Sequence, residues 1–110
     1  MDSSVLAEVF SGLGMGDRVV IGSWQNDEKP MFPYIEYHRD TPNDLRADNR
    51  NYFKSNEWLV AVYGKQKDAH DFWELVDKLT VSLDARCVDY SRSGDLFFDD
   101  VIMENFYVSL

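Results

Sequence analysis

Phe72, Trp73, Val76, Leu79, Thr80 and Leu83 recur at intervals of three and four, which commits this stretch to a helix with one apolar face. Such a face is stable only when another layer covers it. The residues around it change period and supply that layer. Residues 55–63, with the apolar run from Trp58 to Tyr63, read as a strand. Residues 32–39 alternate, with Tyr34, Glu36 and His38 on one side and Ile35 and Tyr37 on the other. Pro33 cannot donate a ladder hydrogen bond, so it belongs at the start of that strand. Arg18, Val19, Val20 and Ile21 form a shorter strand heading toward Trp24.

An earlier helix is expected over residues 4–13, where Val5, Leu6, Val9, Phe10 and Leu13 share a face. Ser3 or Ser4 can cap it, and Gly14 can end it in a left-handed conformation. Asp68 is placed as N-cap of the later helix, with Asp71 in its first turn, where the helix dipole favours negative charge. Residues 85–91 and 97–108 read as two further strands that turn near Ser93, Gly94 and Asp95. The order is then α-β-β-β-α-β-β. The fold expected is α+β, one largely antiparallel sheet with two helices packed on one face. The strands before and after the second helix are candidate neighbours through a right-handed crossover. With 110 residues the chain makes a single domain, residues 1–110.

Charge narrows the function. Eleven Lys and Arg against twenty Asp and Glu leave a formal net charge of −9. Gripping nucleic acid or anionic lipid requires the opposite sign. No apolar run approaches the roughly 20 residues of a membrane span. The first residues lack the basic region and apolar core of a signal peptide. One cysteine, Cys87, cannot form an internal disulfide, which fits a reducing compartment. It lies on an expected strand and reads as a small core residue.

Catalytic chemistry is poorly represented. Gly12, Gly14 and Gly16 follow a helix and precede a strand, the reverse of a phosphate-binding loop, so they read as a helix end and a turn. His70 and Glu74 share a helix face, but without a second cluster they read as a solvated first turn rather than metal ligands. Asp95, Asp99, Asp100 and Glu104 lack the spacing of a calcium loop and read as a solvated acidic edge. With no nucleophile–base pair, the expectation is a non-enzyme without cofactor or metal. Two features suit contact with another chain, and equally a solvated loop and a single aromatic core. Residues 40–54 form a long loop without apolar period, carrying Arg46, Arg50 and Lys54 beside Asp44 and Asp48. Three Trp, six Tyr and seven Phe are a heavy aromatic load, and Trp24, Tyr34, Tyr52 and Tyr107 are candidates for an interface.

Several segments together resemble a known group. Pro30-Met-Phe-Pro-Tyr-Ile-Glu-Tyr37 is a proline-rich lead into an aromatic strand. Ala47-Asp48-Asn49 with Tyr52, the strand from Trp58 to Tyr63, Lys67-Asp68 opening a helix, and the late Phe106-Tyr107-Val108 strand follow in order. This arrangement resembles the small tail terminator, or tail completion, proteins encoded among the head–tail joining genes of long-tailed bacteriophages. It spans residues 5–108 by element order and departs from the pattern over residues 89–100. The resemblance implies a structural virion protein, assembled in the host cytoplasm. Such a protein forms a homo-oligomeric, usually hexameric, ring on the head-proximal end of the tail tube and joins it to the neck. Its partners would be the tail tube protein and a neck or connector protein, with DNA passing through unbound. On that reading Arg46, Asp48, Asn49, Tyr52 and Trp24 meet a neighbouring subunit or the tube, and Asp95, Asp99, Asp100 and Glu104 face the channel. A stopper or adaptor ring, or an acidic DNA mimic, are the alternatives.

Overall fold

A computed structural model describes residues 4–15, 18–22, 31–39 and 57–110. Its elements are α1 (Ser4–Gly12), β1 (Val19–Ile21), β2 (Tyr34–Arg39), β3 (Glu57–Lys65), a 3-10 turn (Gln66–Asp68), α2 (His70–Ala85), β4 (Asp89–Arg92), β5 (Leu96–Phe98) and β6 (Val101–Ser109). The fold is α+β, with a mostly antiparallel six-stranded sheet and two helices among the described residues. The strand order is β1-β2-β3-β6-β4, and β5 also pairs with β6. Only the β1–β2 pair is parallel among the pairings of the described residues.

Register decides which face meets the helices. Trp58, Val60 and Val62 of β3 lie opposite Val108, Phe106 and Glu104 of β6, and Ile35 of β2 lies opposite Val62. With Ile102, these apolar side chains join Leu6, Val9 and Phe10 of α1 and Phe72, Leu75, Val76, Leu79 and Leu83 of α2 in one core. Both helices therefore cover the same face. The Phe10 and Tyr37 ring centroids are 4.8 Å apart, which seats α1 on the β2 side. Arg86 Nη1 lies 3.5 Å from Glu8 Oε1 and links the end of α2 to α1. Tyr34, Glu36 and His38 take the other face, as their alternation implied.

Gly14 follows α1 with a φ of 70°, in the left-handed region expected for its end. Other local expectations are corrected. Asp68 sits in the 3-10 turn, and α2 begins at His70 after Ala69, with no side-chain cap. Trp73 lies off the buried stripe and is exposed. Strands β3 and β4 are not neighbours, because β6 lies between them. The last hairpin turns at Asp99 and Asp100, since Phe98 pairs with Val101. Residues 93–95 instead interrupt the edge strand.

Cys87 is also corrected. It is exposed and lies beyond α2, with φ of 57°. Its N–H donates to the Asp84 carbonyl at 3.1 Å, and Val88 N–H donates to the Leu83 carbonyl at 3.1 Å. That pair of bonds is a Schellman ending, with Val88 packed into the core beside Leu83. Glycine normally holds the left-handed position, because an L side chain there is strained. Cys87→Gly is therefore expected to stabilise the fold by about 1 kcal/mol, read as a higher urea midpoint at unchanged slope.

Candidate assembly interface

Strands β4 and β5 lie on the same side of β6. They pair with residues 106–109 and 101–103 respectively. Three residues, 93–95, stand opposite two, Glu104 and Asn105, so one extra residue must be absorbed as a bulge. Ser93 absorbs it. Its N–H donates to the Asn105 carbonyl at 3.0 Å, and its Oγ accepts from the Asn105 N–H at 3.1 Å in place of a backbone carbonyl. Gly94, with φ of 83°, lets the chain turn back into β5.

The bulge gathers three charged side chains. Glu104 is on the helix-facing side of β6 and is fully buried. Arg92, half in solvent, donates from Nε to Glu104 Oε2. The Arg92 guanidinium also lies 5.4 Å from the centroid of the Phe106 ring. The hydrogen bond to Glu104, outweighing desolvation, holds the guanidinium more firmly protonated than usual. Asp95 turns its carboxyl to Glu104. Desolvation, then the neighbouring Glu104 charge and a hydrogen bond to it, raise the Asp95 pKa against the opposing pull of Arg92. The Glu104 charge disfavours ionisation of the Asp95 carboxyl beside it.

A raised carboxyl pKa in the folded state means that protonation favours folding, so its contribution is present in acid and fades as pH rises. Asp95→Asn removes that dependence. It is expected to stabilise the protein at pH 7 by about 0.5 kcal/mol, the scale of a solvent-screened pair. The gain should vanish below the carboxylate range, where Asp95 itself is neutral. Thermal melts at pH 7 and pH 3 check both halves.

The opposite face of the sheet carries an aromatic ladder. Phe32 and Tyr34 have ring centroids 5.2 Å apart, and Tyr34 and Tyr63, directly opposite each other, 5.0 Å apart. Burial and the Glu36 carboxylate, which accepts a hydrogen bond from Tyr63, push the Tyr63 phenol far above its ordinary value. Tyr34 is buried within this stack and so is not free to meet a partner. Tyr107 is 43 % exposed and is free to do so.

Beyond the bulge, the β5–β6 hairpin exposes Phe97 at 58 % and Phe98 at 56 %, followed by the exposed Asp99 and Asp100. Gln66 N–H donates to the Asp100 carbonyl at 2.7 Å and ties this hairpin to the 3-10 turn. At the other side of the sheet, β1 is the edge strand among the described residues, and its Ile21 is 63 % exposed. There Ala7, Phe10, Ser11, Val19 and Tyr37 line an open groove of about 360 Å³ between α1 and the sheet.

The expected site residues divide accordingly. Trp24, Arg46, Asp48, Asn49 and Tyr52 lie outside the described residues. Of the acidic group, Asp99 and Asp100 are together at the hairpin turn, and Asp95 sits on the bulge. Glu104 is the correction. It is buried under the helices, so it faces no channel and belongs to no solvated edge. The alternation Ile102, Glu104, Phe106, Val108 was the available signal, since it puts Glu104 on the apolar side of its strand. His70 Nε2 and Glu74 Oε2 are 3.7 Å apart on an exposed surface. Among the described residues no three His, Cys, Asp or Glu side chains converge as metal ligands, and no helix is long and apolar enough to cross a membrane.

Comparisons with protein-family models, with curated proteins and with solved structures find no match to this chain. The arrangement itself indicates what it can do. It offers exposed apolar side chains at two opposite sheet edges, a kind of surface through which proteins meet one another.

Proposed function

We propose that this is a structural virion protein, a phage tail terminator that assembles head to tail into a ring, hexameric in the group it resembles. The ring would cap the head-proximal end of the tail tube and join it to the neck. The observation that carries this reading is the position of the two apolar edges. Phe97 and Phe98 border one side of the sheet and Ile21 the other. A chain with two different sticky edges makes heterologous contacts, which close into a ring when the rotation between copies permits. The α+β fold agrees with the resemblance in sequence, although a fold alone does not define a function. A net charge of −9 per copy would keep the wall of such a ring from adhering to DNA in transit.

The test is native mass spectrometry of the protein over a range of concentration and salt, alone and mixed with isolated tail tubes. A closed ring, free or only on tubes, is expected. A monomer that ignores tubes would overturn the proposal. Binding to the portal-side neck instead of the tube would assign a stopper or adaptor, and capture of a basic host protein a DNA mimic.

A further inference from the structure

We infer that the contact between copies is a knob in a groove: Phe97 of one copy enters the α1–sheet groove of the next, and Asp99 and Asp100 face its Arg18. The inference rests on the head-to-tail reading above and adds which surfaces meet. Three observations carry it.

The first is the face. Phe97 lies opposite Ile102, on the helix-facing side of the sheet. The groove is on that same side, because Phe10 of α1 and Tyr37 of β2 line it. Knob and groove thus occupy one layer of the molecule, at its two opposite edges. A copy displaced sideways along its own sheet brings one to the other without turning over.

The second is the level along the strands. Ile102 lies opposite Gly64 of β3, and the next residue pair along, Tyr63 and Tyr34, leads through Ile35 to Val19. Phe97 therefore stands within about two residues of the level of Val19, roughly 7 Å along a strand.

The third is charge. The hairpin tip ends in two exposed carboxylates, Asp99 and Asp100. The β1 edge begins with Arg18, just before Val19. The tip and Arg18 are at the same end of the sheet, because β6 begins opposite Lys65, beyond the Tyr63–Tyr34 pair. An apolar anchor seated in a pocket with opposite charges at its rim is the usual composition of a specific contact. Phe98, on the other face, would border β1 from the far side. These placements put Asp99 and Asp100 at the joint between copies rather than on an open wall.

The experiment uses full-length protein, with tail tubes added if the free protein is monomeric. Phe97→Asp and Ala7→Trp, one on the knob and one in the groove, are both surface changes and should leave thermal melting intact. Each alone should weaken association by about 30-fold or more. Mixed in equal amounts, they should form a dimer and stop, since only one intact knob and one intact groove remain. Exchanging charge with Arg18→Asp and Asp99→Arg together should restore association lost in either alone. Val81→Asp, on the exposed side of α2, should change nothing.

If wild type assembles but Phe97→Asp and Ala7→Trp assemble equally well, this contact is wrong and the ring survives. If the mixture gives full rings, the contact is likewise wrong. If wild type stays monomeric even on tubes, the ring fails and the contact with it.

Discussion

Arg92→Ala is expected to cost about 3 kcal/mol at pH 8, lowering the melting temperature by roughly 12–24 °C. The reason is the partner it abandons. Glu104 is wholly buried among Ile102, Phe106 and Val62, and its charge is met by Arg92. Removing one member of a buried pair leaves the other charged without compensation, which costs more than the pair ever contributed. Half of Arg92 is in solvent, so the loss falls at the low end of the range for buried pairs. Without Arg92, the buried Glu104 side chain is left beside Asp95. Glu104→Leu in the same background should return most of the stability, because an apolar side chain suits that position and no charge is stranded. Urea melts of the two single variants and the double variant decide it. If Arg92→Ala were as stable as wild type at pH 8, the buried pair would not be holding this edge.

The second large effect is at Gly64. A Cβ built there would lie 2.6 Å from Phe72 Cβ, 2.7 Å from Cδ1 and 2.8 Å from Cγ. Contacts of that length force movement, and Phe72 Cβ cannot swing aside because it is fixed to the α2 backbone. The helix as a whole must lift from β3. Gly64→Ala is expected to cost about 2–3 kcal/mol, the scale of an overpacked core, or roughly 10–20 °C of melting temperature. Combined with Phe72→Ala it should cost less than the sum of the two, since deleting the ring gives α2 room to shift. Strict additivity would mean that helix and strand do not meet there.

Much of the fold was legible because periodicity reports burial. Leu6, Val9 and Phe10, then Phe72, Val76, Leu79 and Leu83, mark the two helices, and all are in the core. Ile35 against Tyr34 marks the two sides of β2. Local turn chemistry misled where tertiary pairing overruled it. Ser93-Gly94-Asp95 is the strongest turn signal in the second half of the chain, yet β6 continues opposite it and converts it to a bulge. Asp99-Asp100 carries no glycine and still turns, since aspartate tolerates the left-handed region, where Asp99 has φ of 52°. Cys87 resembled a strand residue because the residues after it are one. The candidate contact was less legible. Phe97 and Phe98 read as ordinary strand aromatics, and only the strand order, which leaves them at an edge, exposes them. Likewise no spacing in the sequence puts α1 far enough from β1 to open a groove.

The bulge at Ser93 bears on how far association can run. A long straight strand at the border of a sheet is a template onto which any other strand can add, without limit and in any register. Here that border is cut into a piece of four residues and a piece of three, with a kink between them. Neither is long enough to zip onto a foreign chain. In the proposed ring, copies would meet instead through shaped side chains with a set angle, and a set angle is what separates an assembly of counted members from a fibre.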